Sequence, residues 1–312
     1  MQAFYTDCFV LPLPPGHRFP MAKYAALRER VERKLPVVRL GLPHAAGDAE
    51  LGLAHDPDYI DSVIRGTLNA ADQRRLGLPW SPQLVERSRR SVGATIDACR
   101  AALVEGIAVT LAGGTHHAFR AHGAGFCVFN DSVVAARVMQ AEGRARRIAV
   151  VDCDVHQGDG TASLTAKDSA VFTLSLHGAN NYPPRKERSD LDVALHDGTG
   201  DEEYLATLDR ALRELFQRFA PDLIIYLAGA DPFRGDRMGR LALTKEGLAG
   251  RDRMVLAACR SRDVAVAVAM AGGYAEDVDD VVDIHFATVS EAARMWADNR
   301  GQATSFVAER SG

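Results

Sequence analysis

Residues 147–154, RIAVVDCD, decide the fold class: an apolar run on consecutive positions stops at two carboxylates, Asp152 and Asp154. Strand side chains alternate between faces, so a run that is apolar at every position is covered on both, as in a central strand of a parallel sheet with helices on either side. Working outward, IAVTLAG (107–113), AVFTLSLHG (170–178), DLIIYLAGAD (222–231) and VAVAVAMAGGY (264–274) repeat the pattern. The stretches between them predict helices over 82–104, 130–142, 202–219, 246–261 and 276–296. This alternation predicts an α/β fold, a single-domain, open, mostly parallel sheet flanked by helices on both faces. The first third reads as a less regular cap with one early strand, a helix from about Pro20 to Lys34 and another after the turn His55-Asp56-Pro57-Asp58. No linker sets it apart, so one domain over residues 1–312 is expected. The stretch from Asn180 to Gly200 has little periodicity and is expected to be a long loop at a strand's carboxyl end.

The chain has 312 residues, 25% of them charged, with 37 Lys+Arg against 41 Asp+Glu and a net charge of −4. It has no block of positive charge of the kind that nucleic acid or an anionic membrane surface requires, so neither is an expected partner. No run of about 18 apolar residues occurs, and no charged region precedes an apolar one at the N-terminus; a cytoplasmic protein is expected. The five cysteines, Cys8, Cys99, Cys127, Cys153 and Cys259, are odd in number and form no C-x-x-C pair. They are expected to be reduced and mostly buried, which argues against a thiolate zinc site and leaves His and carboxylate as metal ligands.

Polar residues of the required kinds stand where the apolar runs end. VVDCDVHQGDG places Asp152, Asp154, His156 and Asp159 close together, and the first three leave an extended chain on one side. Carboxylates buried beside an apolar strand need a cation or donors, and mixed His/carboxylate ligation suits zinc, iron or manganese. In GGTHHAF the pair His116 and His117 can serve one site only from an irregular, glycine-permitted loop; a neutral His can take a proton from a metal-bound water, and Asp152 and Asp159 are available to orient the pair. Asp231 supplies a carboxylate from another strand end. Tyr274, after two glycines, can donate to a developing oxyanion. In open α/β sheets such strand ends are where ligands bind. Together these are the parts of metal-assisted hydrolysis of a neutral acyl group.

These segments, in this order, resemble the zinc-dependent histone deacetylase superfamily, with its arginase/deacetylase-like fold. LPLPPGHRFPMAKY (11–24), HDPDYIDSV (55–63), GFCVFND (125–131), TLSLHG (173–178) and the stretch 180–205 are similar to bacterial proteins grouped with the class IV deacetylases, and the likeness runs from about residue 10 to 295. The resemblance implies a single deacetylase-like domain with one Zn²⁺ held by Asp154, His156 and Asp231. His116 and His117 would be the paired general base and acid, oriented by Asp152 and Asp159 respectively, and Tyr274 would hydrogen-bond the substrate oxygen. Gly125, Phe126, Tyr182 and Gly272 would contact an acyl-lysine, with Phe126 and Tyr182 as channel walls. A structural K⁺ would lie at Asp152, Asp154, His156, Ser175 and Leu176, and a second cation site matches less clearly around Thr165, Asp168 and Val171. The implied reaction removes acetyl or longer acyl groups from acylated lysine peptides or proteins, or from acylated amines, yielding a carboxylate and an amine.

Ala271-Gly272-Gly273 is one glycine short of a run often seen in that family. Glu187, Asp190 and Asp192 are candidates for an acidic rim that would favour cationic amines. Two other readings share the residues. A binuclear manganese ureohydrolase like arginase needs D-x-H-x-D, but residue 158 is Gly158. A non-catalytic zinc protein that binds acylated ligands would not need the Tyr and both histidines.

Overall fold

The computed structural model describes residues 1–309, with side-chain surroundings described for 1–298; the last three residues of the expected 1–312 domain lie outside the described residues. The strands are β1 (Gln2–Phe4), β2 (Arg39–Gly41), β3 (Ile107–Thr110), β4 (Ile148–Asp152), β5 (Val171–Gly178), β6 (Leu191–Leu195), β7 (Leu223–Leu227) and β8 (Ala265–Ala269). They form one sheet in the order β2-β1-β3-β8-β7-β4-β5-β6, and every pairing is parallel rather than mostly so. The helices are α1 (Ala22–Lys34), α2 (Asp48–Leu51), α3 (Pro57–Arg65), α4 (Ala70–Leu76), α5 (Pro82–Glu105), α6 (Asp131–Ala141), α7 (Asp159–Thr165), α8 (Asp201–Arg218), α9 (Lys245–Arg260) and α10 (Val278–Glu309).

The consecutive apolar positions divide between two cores, as strand alternation requires. Ala149, Val151, Ile224 and Tyr226 face the layer of α1, α8, α9 and α10. Ile148, Val150 and Ile225 face the layer of α3, α5 and α6. Caps explain the helix starts: Ser81 accepts from Leu84 N–H and is followed by Pro82, Asn130 accepts from Val133 N–H, and Thr244 accepts from Gly247 N–H.

The stretch from Asn180 to Gly200 is not all loop. Leu191–Leu195 forms the edge strand β6 against β5. An edge strand is covered on one face only, so its residues alternate in exposure and include Asp192, which removes the continuous apolar signal. The three-residue β2 (Arg-Leu-Gly), at the other edge beside β1, is too short to show a pattern in sequence.

The strands β3, β8, β7 and β4 are neighbours at the middle of the sheet. Their carboxyl ends lead respectively to His116-His117, Tyr274, Asp231 and Asp152-Asp154. Residues far apart in sequence are thereby delivered to one edge.

Candidate active site

Asp154, His156 and Asp231 each present a ligand atom, and these atoms all lie within 4.8 Å of one another. All three residues are buried. Asp154 Oδ1 accepts from His156 N–H (3.0 Å) and lies 2.9 Å from His156 Nδ1, and its Oδ2 accepts from Gly272 N–H (2.8 Å). Asp231 Oδ1 accepts from Val155 N–H at 2.9 Å. Asp231 Oδ2 is fully buried and, among the described residues, accepts no well-formed hydrogen bond, with His156 Nδ1 3.3 Å away. Burial and the neighbouring Asp154 charge raise the Asp231 carboxyl above the usual range. Burial disfavours charge on His156, but the two carboxylates outweigh it and lift the imidazole to about 10. A crowded, buried pair of carboxylates with one oxygen unsatisfied fits a cation. Glycine makes the crowding possible: a Cβ on Gly272 would fall 2.0 Å from Asp231 Oδ2 and 2.6 Å from Asp154 Oδ2.

Beside this cluster, His116 Nδ1 lies 2.7 Å from Asp152 Oδ2, and His117 Nδ1 2.6 Å from Asp159 Oδ1. The two Nε2 atoms face each other at 3.1 Å. With both Nδ1–H groups donating to carboxylates, that contact needs one Nε2–H and one lone pair, so the pair carries one positive charge. Burial opposes charge on both rings. Asp152 and Asp154 overcome it at His116 and push it up to about 9, whereas at His117 burial and the adjacent His116 charge prevail over Asp159 and bring it down to about 4. His116 is thus the charged member and His117 the neutral one. A Cβ at Gly158 would lie 2.5 Å from Asp152 Oδ2, so the position where a binuclear site needs another carboxylate is closed to any side chain.

The loop carrying the histidines is held by the segment GFCVFND. Asn130 Nδ2 donates to His116 O (3.4 Å) and Ala118 O (3.2 Å), and Asp131 accepts from Gly114 and Thr115 N–H groups at 2.9 and 2.7 Å. Phe126 takes φ 67°, in the left-handed region that L residues rarely adopt. It is held there by its N–H donating to Leu76 O at 2.9 Å, while Gly125 donates to Arg75 O. A Cβ on Gly125 would meet His117 Cδ2 at 2.6 Å.

A cavity of about 370 Å³ joins these groups, lined by Asp154, His156 and Asp231, both histidines of the pair, Gly125, Phe126, Tyr182, Gly272 and Tyr274. Tyr182, 40% exposed, stands edge-on to His117 with ring centroids 4.8 Å apart. Phe126 and Tyr274 are 6.1 Å apart. Burial holds the Tyr274 hydroxyl well above its ordinary pKa, so it is a donor at neutral pH.

Ser175 stands opposite Asp152 in the β4–β5 register, and its Oγ is 3.0 Å from His177 Nδ1; Leu176 follows it in the strand. Of the second cation candidates, Thr165 O accepts from Asp168 N–H, Asp168 O accepts from Val171 N–H, and the Asp168 carboxylate is paired with Arg137. The expected acidic rim is not there. Asp190 accepts from Thr173 N–H (2.9 Å), Asp192, in β6, from Gln157 and Ser189 (2.8 Å each), and neither these nor Glu187 are among the residues that line the cavity. The exposed lining residues Arg18, Arg74 and Arg75 give the mouth the opposite charge.

Two residues outside the motifs hold the site's backbone. Arg251, fully buried in α9, donates from Nη1 to Gly229 O (2.5 Å) and Cys153 O (3.3 Å), carbonyls next to the ligand-bearing turns. Asp236 accepts from Tyr274 N–H (2.5 Å) and from Met238 and Gly239 N–H. An Arg-Asp pair inside the apolar face of a predicted helix was the available signal for Arg251; Asp236 had none beyond its place in a turn.

The family model described as the histone deacetylase domain matches residues 17–289. An uncharacterized protein of Picosynechococcus is 44% identical over 283 residues, 90% of this chain and 94% of that protein. Histone deacetylase 2 of Arabidopsis thaliana is 30% identical over 241 residues, covering 74% of this chain and 62% of its own length. Among solved structures, an HDAC homolog from Aquifex aeolicus matches with TM-score 0.79 at 21% identity over 94% of this chain and 83% of that chain. An HDAC homolog complexed with SAHA gives 0.78 at 20% identity, over 95% and 88%. At these identities the structural likeness concerns the fold.

Proposed function

The chain belongs to the histone deacetylase family, and from that premise we propose that it is a zinc-dependent amidohydrolase, built as one domain over residues 1–312. Its substrates on this reading are acylated lysine side chains of peptides or proteins, or related acylated amines, with acetyl or longer acyl groups. The observation that carries the reading is Asp231 Oδ2, a buried carboxylate oxygen that, among the described residues, accepts no well-formed hydrogen bond and has the His156 ring 3.3 Å away, beside a His pair and a Tyr on one cavity. A cation held by Asp154, His156 and Asp231 would satisfy it, and two carboxylates with one imidazole suit zinc while leaving room for water and substrate. When bound, zinc supplies Lewis acidity that polarises the amide carbonyl and acidifies a water.

The remaining chemistry belongs to the chain. His117, neutral and oriented by Asp159, takes a proton from the attacking water, and the His pair delivers one to the departing amine. Tyr274 donates to the carbonyl oxygen as it gains charge. Phe126 and Tyr182 flank the apolar stem, and Gly125 and Gly272 keep the backbone close to it. The same reading keeps a structural K⁺ beside Asp152, Asp154, His156, Ser175 and Leu176, a class IV-like relationship and a cytoplasmic location without nucleic-acid or membrane partners. No helix among the described residues is long and apolar enough to cross a membrane.

Metal analysis after dialysis, combined with a fluorogenic acetyl-lysine peptide assay, tests the reading. One zinc per chain and turnover lost with Asp231→Asn are expected. Two manganese ions per chain, or zinc retention without hydrolysis of any acyl-lysine, contradicts it.

A further inference from the structure

The active-site cavity has a second set of lining residues that the hydrolytic chemistry does not use. Leu11, Lys23, Tyr24, Leu84 and Arg87 line it and, Tyr24 apart, are buried, unlike the exposed arginines of the mouth. Lys23 is 3% exposed and Arg87 6%, yet among the described residues neither has a carboxylate within ion-pair distance. Lys23 Nζ makes only long contacts, 3.3 Å to Ala271 O and 3.4 Å to Gly273 O. Arg87 Nη1 donates to Thr6 O (2.8 Å) and Phe9 O (3.0 Å). Among the described residues its Nε and Nη2 donate to no side chain or carbonyl, and Arg87 is one of the residues that line the cavity. Both cations stand against the Tyr24 ring, at 5.3 and 4.3 Å from its centroid.

Buried charges are ordinarily paired, because carbonyl dipoles and an aromatic face offer partial charge where a full counter-charge is needed. The carboxylates lining the cavity are Asp154 and Asp231, both engaged at the metal-ligand cluster. The missing negative charge therefore belongs to a ligand. Lys23 lies 5.5 Å from the centre of the Tyr274 ring, so these cations sit next to the group that meets the substrate carbonyl. The part of an acyl-lysine that extends beyond that carbonyl is the acyl chain.

We propose that Lys23 and Arg87 form a subsite for an acyl group that carries its own terminal carboxylate, so that lysines acylated by short dicarboxylic acids are substrates. The proposal rests on the deacylase reading and adds the acyl class to it. Water adds to the amide carbonyl and the C–N bond breaks, giving a free dicarboxylate and the lysine amine, with no co-reactant besides water.

The test compares Nε-glutaryl-lysine with Nε-pentanoyl-lysine in one peptide on the zinc-loaded full chain. The two acyl groups have equal carbon counts and differ in the terminal carboxylate; Nε-acetyl-lysine is the control. A charge-assisted contact predicts kcat/KM for glutaryl at least about tenfold above pentanoyl, a ratio that falls about tenfold in Arg87→Gln and partly returns in Arg87→Lys, with acetyl turnover held within about threefold. Free glutarate is expected to inhibit acetyl-peptide hydrolysis more strongly than pentanoate, a readout on the unaltered protein that needs no variant to fold. Acetyl turnover with pentanoyl equal to or better than glutaryl overturns the subsite and leaves the deacylase reading standing. Equal inhibition by glutarate and pentanoate also overturns it. Absence of turnover on all three peptides overturns both together.

Discussion

Arg251 has no exposed surface, yet it carries a full charge between α9 and the sheet. Its Nε donates to Asp252 (2.9 Å), and Asp252 in turn accepts from the Tyr226 and Thr288 hydroxyls at 2.6 Å each. Its bonds to Cys153 O and Gly229 O fix the backbone just ahead of Asp154 and Asp231. Replacing it leaves a buried Asp252 charge uncompensated, so Arg251→Met is expected to lose about 3–5 kcal/mol in urea unfolding. It is also expected to weaken zinc retention, since the ligand-bearing turns lose their brace; unchanged stability and zinc content in this variant contradict that assignment. At this scale the sequence exposed the groups that the structure gathers on one cavity, such as His116, His117, Asp154 and Tyr274. It marked Arg251 only as an Arg-Asp pair within a helix and did not expose Asn130 or Asp236, because they act on backbone groups, and backbone geometry leaves little trace in residue type. Ala271 shows the same limit: the missing glycine is a visible departure, but only the structure shows that this Ala sits at φ 53°, the conformation that favours glycine.

Elements were legible where both faces are buried and obscure where one is. The five apolar runs all correspond to strands, while β2 and β6 at the edges, and the short α2, α4 and α7, left no such pattern. Gly93 inside α5 is a weak helix former by propensity, but a Cβ there would fall 1.9 Å from His44 O, so its value lies in letting the cap approach. His44 joins the cap to that helix: Nδ1 is 3.0 Å from Asp97 of α5 and Nε2 3.1 Å from Glu50 of α2. The Asp97 hydrogen bond, with Asp97 and Glu50 charges behind it, raises its pKa above the ordinary value of about 6.5 despite partial burial. A folded-state pKa above the unfolded one means that the stabilisation is fully present below about 6.5 and is lost as pH rises through the raised value. The gap in urea midpoint between the native chain and His44→Gln is therefore expected to be larger at pH 5.5 than at pH 9. A gap that stays constant or widens with pH rules the contribution out.

For the molecule as a whole, the parallel order places β3, β8, β7 and β4 side by side, so four loops from across the chain meet at one sheet edge. Sequence order could place the site at strand ends, but not state which ends are neighbours; that depends on the crossovers. Net charge was informative only globally. The chain is at −4, yet the cavity mouth carries Arg18, Arg74 and Arg75, and the acidic residues of the 180–200 stretch lie elsewhere. On the proposed function, this edge is a hydrolytic centre in which the His pair and Tyr274 act on substrate beside a metal they do not hold. Its most direct test is kcat for an acetyl-lysine peptide, with zinc content measured on the same samples, for the native chain, His117→Ala and Tyr274→Phe. Each variant is expected to retain zinc while kcat falls by about 100-fold or more. Zinc retained with kcat unchanged in both variants would show that neither the His pair nor Tyr274 acts on the substrate.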